Sequence, residues 1–278
     1  MKRLSGITTG LDALVAPRED TDTQTRFREA LALLAGAGQS YWEVRGAETL
    51  IAETGAEVLH ALAMGAGIKL IGRLPFVPGE TVAEMAQRAA DFAVSFDAVI
   101  LDGFGRYAAE PGEGPSGAEH TDEGTAKVAA IKAALKGKEL FADDAGVSSP
   151  AVNRLLSVNG LACTRVLSNG FSGREPANRD LPHNYPANCV AYLSAPNGEG
   201  IMHFLYRGDP LEVGFAVDYL NLTEREGYAY GFLRGLMASP AALTLIPLKD
   251  ILPAGGTFTD RELKRLRYYT RLFGRCGK

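Results

Sequence analysis

Acidic and amide side chains recur where short apolar runs end. Asp102 follows Val99-Ile100-Leu101, Asp143 and Asp144 follow Phe141-Ala142, and Asn197 and Glu199 come shortly after Tyr192-Leu193. Carboxylates held at the ends of buried strands can serve proton transfer or nucleophilic attack. The competing reading is local: Asp and Asn at strand ends cap the turn or helix that follows. Three such positions in one chain favour chemistry. His60, His120 and His203 lie far apart without metal-ligand spacing, and Cys163, Cys189 and Cys276 are odd in number and scattered. No metal and no cofactor is therefore expected, and the cysteines are read as reduced thiols.

The elements that must position these residues alternate. Phe27, Ala30, Leu31 and Leu34 share a helical face that stops at Gly36-Ala37-Gly38. Thr81 with Glu84 forms a capping box ahead of Val82, Met85, Ala86 and Ala89. Val128, Ile131 and Leu135 mark another helix closed by Gly137, and Ser149-Pro150 opens one that Gly160 ends. Thr223 with Glu226 and Thr259 with Glu262 are read as boxes opening the last long helices. Between the helices lie apolar runs without polar alternation: Ile68–Ile71, Ala98–Leu101, Leu140–Ala142, Thr164–Leu167, Cys189–Leu193 and Leu243–Ile246. Strands buried on both faces read this way, and repeated strand-then-helix order implies parallel strands with helical crossovers. The expectation is an α/β chain, a single (β/α)8 barrel domain over residues 1–278, with its chemistry at the C-terminal ends of the strands.

Composition narrows the partners. The chain has 278 residues, 46% of them hydrophobic and 22% charged, which excludes a disordered or collagen-like polymer. A net charge of -4 provides no basic footprint for nucleic acid. No apolar run approaches the length of about 18 residues that a spanning helix needs, and the start lacks an apolar signal core. A cytoplasmic protein with no membrane partner is expected. The acidic run Glu110–Glu123, rich in Gly and free of Lys and Arg, is read as an exposed loop. Tyr41 and Trp42 could stack on a ring, but core packing is the commoner role for aromatics on a strand.

The stretch Leu181-Pro182-His183-Asn184-Tyr185-Pro186, preceded by Phe141-Ala142-Asp143-Asp144-Ala145-Gly146-Val147, resembles the 4-α-glucanotransferases called amylomaltases, glycoside hydrolase family 77. The resemblance continues in order along the chain. Arg3-x-Ser5-Gly6-Ile7 is similar to the family's opening motif, and Ala37–Trp42 to its first barrel strand. Ile71-Gly72-Arg73-Leu74-Pro75 and Phe96–Phe104 are similar to later strands. Ala238–Ala241, Pro247–Asp250 and Tyr269–Arg275 are similar to the closing segments. The resemblance implies a (β/α)8 barrel shortened by loss of the family's inserted subdomains. It also implies a retaining double displacement on an α-1,4-glucan or maltooligosaccharide.

Carried across residue by residue, the nucleophile falls on Asp102 and the acid/base glutamate on Asp143, one methylene shorter. The transition-state aspartate falls on Asn197, which carries no charge. Ile100 stands for an arginine, Gly103 and Pro196 for histidines, and Arg73 for the aspartate of the glycine-aspartate-x-proline strand. His183 matches a family histidine and is a candidate substrate contact, with a hydrogen-bonded structural role as the alternative. Glu199 is a candidate to restore a carboxylate, although Gly198 and Gly200 beside it suggest a mobile loop. The resemblance thus implies an amylomaltase-like transferase with weak or lost activity. The alternatives are a silent relative that binds glucan or regulates another protein, and a barrel with unrelated chemistry on Asp102, Asp143, Asp144 and Glu199.

Overall fold

A computed structural model describes residues 4–108, 118–144, 149–252 and 258–274. Much of the acidic run, Gly146-Val147 of the recognised motif, and Cys276 lie outside them. Strands and helices alternate from β1 (Leu4–Thr9) through α1 (Leu11–Leu14), α2 (Thr23–Gly36), β2 (Tyr41–Val44), α3 (Ala47–Thr54) and α4 (Ala56–Gly65). The order continues with β3 (Lys69–Pro75), α5 (Val82–Ser95), β4 (Ala98–Asp102), α6 (Ala118–Ala134), β5 (Glu139–Asp143) and α7 (Pro150–Asn159). It ends with β6 (Arg165–Val166), β7 (Val190–Tyr192), α8 (Ile201–Arg207), α9 (Pro210–Leu220), α10 (Tyr228–Ala238), β8 (Leu243–Pro247), α11 (Leu248–Ile251) and α12 (Asp260–Gly274). Among the described residues there are eight strands, and the recorded strand pairs are parallel. This is the α/β class in the strand-and-helix order of a (β/α)8 barrel.

The chain divides into two compact units, one of Met1–Ala47, Leu62–Ile68 and Arg165–Lys278, the other of Glu48–Ala61 and Lys69–Thr164. In the first, β2 pairs β1, β1 pairs β8, β8 pairs β7 and β7 pairs β6. Trp42 stacks on Phe27 of α2 with ring centroids 5.2 Å apart, so the odd-numbered β1 residues and Trp42 face the helices. The opposite face carries Gly6, Thr8, Tyr41, Glu43, Leu245 and Tyr192. It is crowded: a Cβ on Gly6 would stand 2.6 Å from Tyr41 and 2.9 Å from Leu245. That crowding explains a glycine inside a strand. It also explains why Leu4–Thr9, with few large apolar residues, was not evident as a strand; Tyr41–Val44, read as the first strand, is the second.

In the second unit, β3, β4 and β5 lie side by side. Leu74, Val99, Leu101 and Ala142 pack with Met85 and Ala89 of α5, Val128 and Ile131 of α6, and Val152 and Leu155 of α7. Helix ends follow the sequence signals. Thr81 and Glu84 form the capping box, and Ser149 accepts from Val152 N ahead of Pro150. Gly160 closes α7 at φ 63°, a left-handed conformation that favours glycine. Two expectations change. Thr223 and Glu226 make a turn, and α10 begins at Tyr228, because Glu226 turns its carboxylate to Arg234 and Tyr269. The end of the acidic run is helix, since α6 starts at Ala118. Among the described residues, no helix is long and apolar enough to cross a membrane.

Candidate functional site

In the second unit, Asp102 and Asp143 end adjacent strands and are register partners, with Pro75 opposite Asp102 on the other side. Because Leu101 and Ala142 point to the helices, alternation turns Asp102 and Asp143 to the other face. Arg73, two residues before Pro75, shares that face and reaches up to both acids. Its Nη1 lies 3.1 Å from Asp102 Oδ1 and 2.6 Å from Asp143 Oδ2. The two carboxylate oxygens are therefore no farther apart than these two bonds laid end to end. That limit accommodates the separation of about 5–5.5 Å found between the two carboxyls of retaining glycosidases. The space between them, however, holds a guanidinium. Asp143 Oδ1 accepts from Thr164 Oγ1 at 3.1 Å, and Thr164 is itself tied by its N–H to Ala142 O at 2.8 Å. Both oxygens of Asp143 are thus acceptors. Arg73 is 12% exposed, Asp143 17% and Asp102 42%, so the arginine and Asp143 sit below the more open Asp102.

Asp144, adjacent in sequence, does not join this group. It is buried and accepts from the Cys163 thiol at 3.1 Å. His60 pairs with Asp97 at 3.0 Å, and Asp97 also accepts from Leu70 N, so this histidine holds the base of the strands together.

The first unit holds the other candidates. His183 lies between Tyr219 OH, 2.6 Å from Nδ1, and Pro176 O, 2.9 Å from Nε2. A carbonyl only accepts, so Nε2 carries a proton and donates it to Pro176 O, while Nδ1 pairs with the tyrosine hydroxyl. Both ring nitrogens are then used within the protein, which is the structural alternative for this residue. Asn197 and Glu199 lie exposed on the segment Ser194–Ile201. Contrary to the mobile loop suggested by its glycines, this segment is clamped by two consecutive residues of α11. Lys249 Nζ donates to Ala195 O at 2.8 Å, to Pro196 O at 3.3 Å and to Gly198 O. Asp250 accepts from Ser194 Oγ at 2.8 Å and from Ile201 N at 2.7 Å. Burial pushes the Asp250 carboxyl up and the Lys249 ammonium down.

Sequence reasoning missed Glu43. It is 0% exposed, at the end of β2, and accepts from Thr8 Oγ1 and, at 2.9 Å, from Tyr192 OH, with Arg45 3.8 Å away. A lone acid in the otherwise buried Tyr41-Trp42-Glu43-Val44 strand was the available signal. Cys189, also buried, has its thiol pushed up to about 11 by burial and is no ready nucleophile. Among the described residues, no three His, Cys, Asp or Glu side chains group so as to hold a metal ion.

Residues 39–259 match the profile of the 4-alpha-glucanotransferase family, glycoside hydrolase family 77. The 4-alpha-glucanotransferase of Clostridium butyricum is 28% identical over 168 residues, covering 52% of this chain and 34% of the relative. The chloroplastic/amyloplastic 4-alpha-glucanotransferase of Solanum tuberosum is 29% identical over 175 residues, covering 61% and 30% respectively. This chain thus spans about a third of the length of these curated relatives. Among solved structures, an amylomaltase from Streptococcus agalactiae in complex with acarbose matches with a TM-score of 0.64 at 17% identity, over 77% of this chain and 59% of that one. An amylomaltase from Corynebacterium glutamicum matches with a TM-score of 0.57 at 12% identity, over 81% and 49%. At such identities these two likenesses speak to the fold.

Proposed function

The chain belongs to the 4-alpha-glucanotransferase family, glycoside hydrolase family 77, and from that premise we propose that it is a silent member whose acid pair Arg73 holds shut. The observation that supports this reading is the single Arg73 nitrogen within hydrogen-bond distance of both Asp102 and Asp143. Retaining transfer needs a nucleophilic carboxylate free to reach an anomeric carbon, and a second carboxyl that delivers a proton to the leaving oxygen. Asp143 is an acceptor on both oxygens. A proton placed on it would have to displace a charge-assisted bond from the arginine or the hydroxyl bond from Thr164. Asp102 gives its Oδ1 to the same guanidinium, which lowers the nucleophilicity of that carboxylate. A charge-stabilising group in such sites contributes a factor on the order of 10²–10³, and Asn197, in the position of the family's third acid, supplies no charge.

Two properties of a binding protein would remain: the family's barrel architecture and affinity for α-1,4-glucan. The amylomaltase of Streptococcus agalactiae was solved with acarbose bound. In this reading the present chain engages maltooligosaccharide without turning it over, as a binding or regulatory protein, in the cytoplasm and without nucleic acid or membrane as a partner. The test is incubation with maltotriose. Absence of glucose and longer maltodextrins, with maltoheptaose binding seen by calorimetry, is the expected result. Disproportionation that Asp102→Asn abolishes would support the second reading, an active transferase, which the short separation of the two carboxyls favours.

A further inference from the structure

Ser168, Asn169 and Ser172, from the segment Leu167–Arg174, line a cavity of about 560 Å3 in the first unit together with His203, Phe204 and Arg207 of α8. Sites for small molecules commonly occupy about 300–1,000 Å3. Two further lining positions are held to glycine by their surroundings. A Cβ on Gly208 would stand 2.4 Å from Phe204 O, and one on Gly200 would stand 2.9 Å from Asp250 Oδ1.

The lining side chains differ in how far they are already committed. His203 and Arg207 are one helical turn apart and so share a stripe of α8. Among the described residues, the side chains of His203, Arg207, Ser168, Asn169 and Ser172 make no hydrogen bond and no ion pair. One of the two carboxylates of the lining is committed to the backbone, and the charge of the other acts on a lysine. Glu212 Oε1 accepts from Gly173 N at 2.8 Å, and Glu199 lies in the field of Lys249. Phe204, half-buried, packs beside Phe171 and Phe232 and offers an apolar edge. The uncommitted groups are therefore an arginine and a histidine on one wall, both exposed, and small hydroxyl and amide groups on the segment Leu167–Arg174.

We infer that this cavity binds a small polyhydroxylated molecule with one anionic group, the anion held by Arg207 and His203 and the hydroxyls by Ser168, Asn169 and Ser172. Arg207 supplies the fork that grips a carboxylate or a phosphate. The inference is independent of how the Asp102–Asp143 pair is read.

The experiment is titration calorimetry of the intact chain with gluconate, glucose 6-phosphate, glucose and inorganic phosphate. Gluconate, glucose 6-phosphate or both should bind with Kd below about 1 mM; which of them does so distinguishes a carboxylate from a phosphate ligand. Glucose and inorganic phosphate should bind at least about tenfold more weakly than that ligand, since each lacks half of the recognised groups. Arg207→Gln should weaken binding about tenfold or more while shifting Tm by no more than about 1–2 °C, and His203→Gln should weaken it less. The inference is overturned if neither anionic sugar reaches that affinity. It is equally overturned if glucose or phosphate alone binds as well, or if both variants bind as the parent does.

Discussion

Each unit of the molecule turns acids to the face of its strands opposite the helices, and the two units stabilise them by different means. In the first, Glu43 is fully buried and is held by the hydroxyls of Thr8 and Tyr192, with Arg45 at a looser distance. In the second, Asp102 and Asp143 are partly open to solvent and share one guanidinium. A buried acid ringed by fitted donors is part of the packing and costs most when its partners lose it. Two acids joined by a cation at the strand ends are partly solvated ion pairs, which the reading proposed above takes for a neutralised pair. The contrast teaches that an acid at a strand end is not by position alone a catalyst: what fills the space beside it decides.

Substitutions can break this contrast, and the largest effect is expected from Glu43→Ala. It strands two buried hydroxyls and should destabilise by about 3 kcal/mol, which scanning calorimetry would read as a Tm lower by about 6–12 °C. The loss should persist unchanged in 1 M salt, because hydroxyl donors are not screened as charges are. Arg73→Met comes next. It leaves two carboxylates facing each other in a partly solvated setting and should cost about 1–2 kcal/mol, with part of the loss recovered in 1 M salt. If Arg73→Met were neutral in low salt, the ion pairs would be surface decoration rather than a lock.

Tyr192→Phe removes one donor from Glu43 and should cost about 1–2 kcal/mol without salt dependence. The smallest effect is in pH dependence. Asp250 has its carboxyl pushed up by burial from an ordinary value near 3.8. The stabilisation it contributes is complete below that ordinary value and is lost as pH rises through the raised one. Asp250→Asn should therefore show a shallower fall of Tm with rising pH in the acid range than the parent. A steeper fall in the variant would contradict the assignment.

Much of the framework was legible because its signals are local. The Thr81–Glu84 box, the Ser149-Pro150 start and the Gly160 stop each depend on a few neighbouring residues, and each forms as read. The apolar runs of β4, β7 and β8 are strands buried on both faces, whereas β5 and the two-residue β6 are mostly half-buried; β4 and β5 end at the two acids as expected. What escaped the sequence depends on distant partners. Leu4–Thr9 is a strand whose glycine exists to clear Tyr41 and Leu245. Thr223 and Glu226 mimic a helix start, but Arg234 and Tyr269 claim the glutamate. Arg73 was legible as a replaced residue and not as the group that bridges both aspartates, because its reach along β3 to the next layer is a matter of register. The clamp of Lys249 and Asp250 on the segment bearing Asn197 and Glu199 joins residues about fifty positions apart.

The central claim is that Arg73 denies Asp102 its role as a nucleophile, and release of fluoride from α-maltosyl fluoride tests it most directly. Fluoride departs without needing a proton, so its release in the first half-reaction does not depend on Asp143 and asks whether Asp102 can attack. The account predicts release no faster than the uncatalysed rate. Fluoride release that the protein accelerates and that Asp102→Asn abolishes would contradict it.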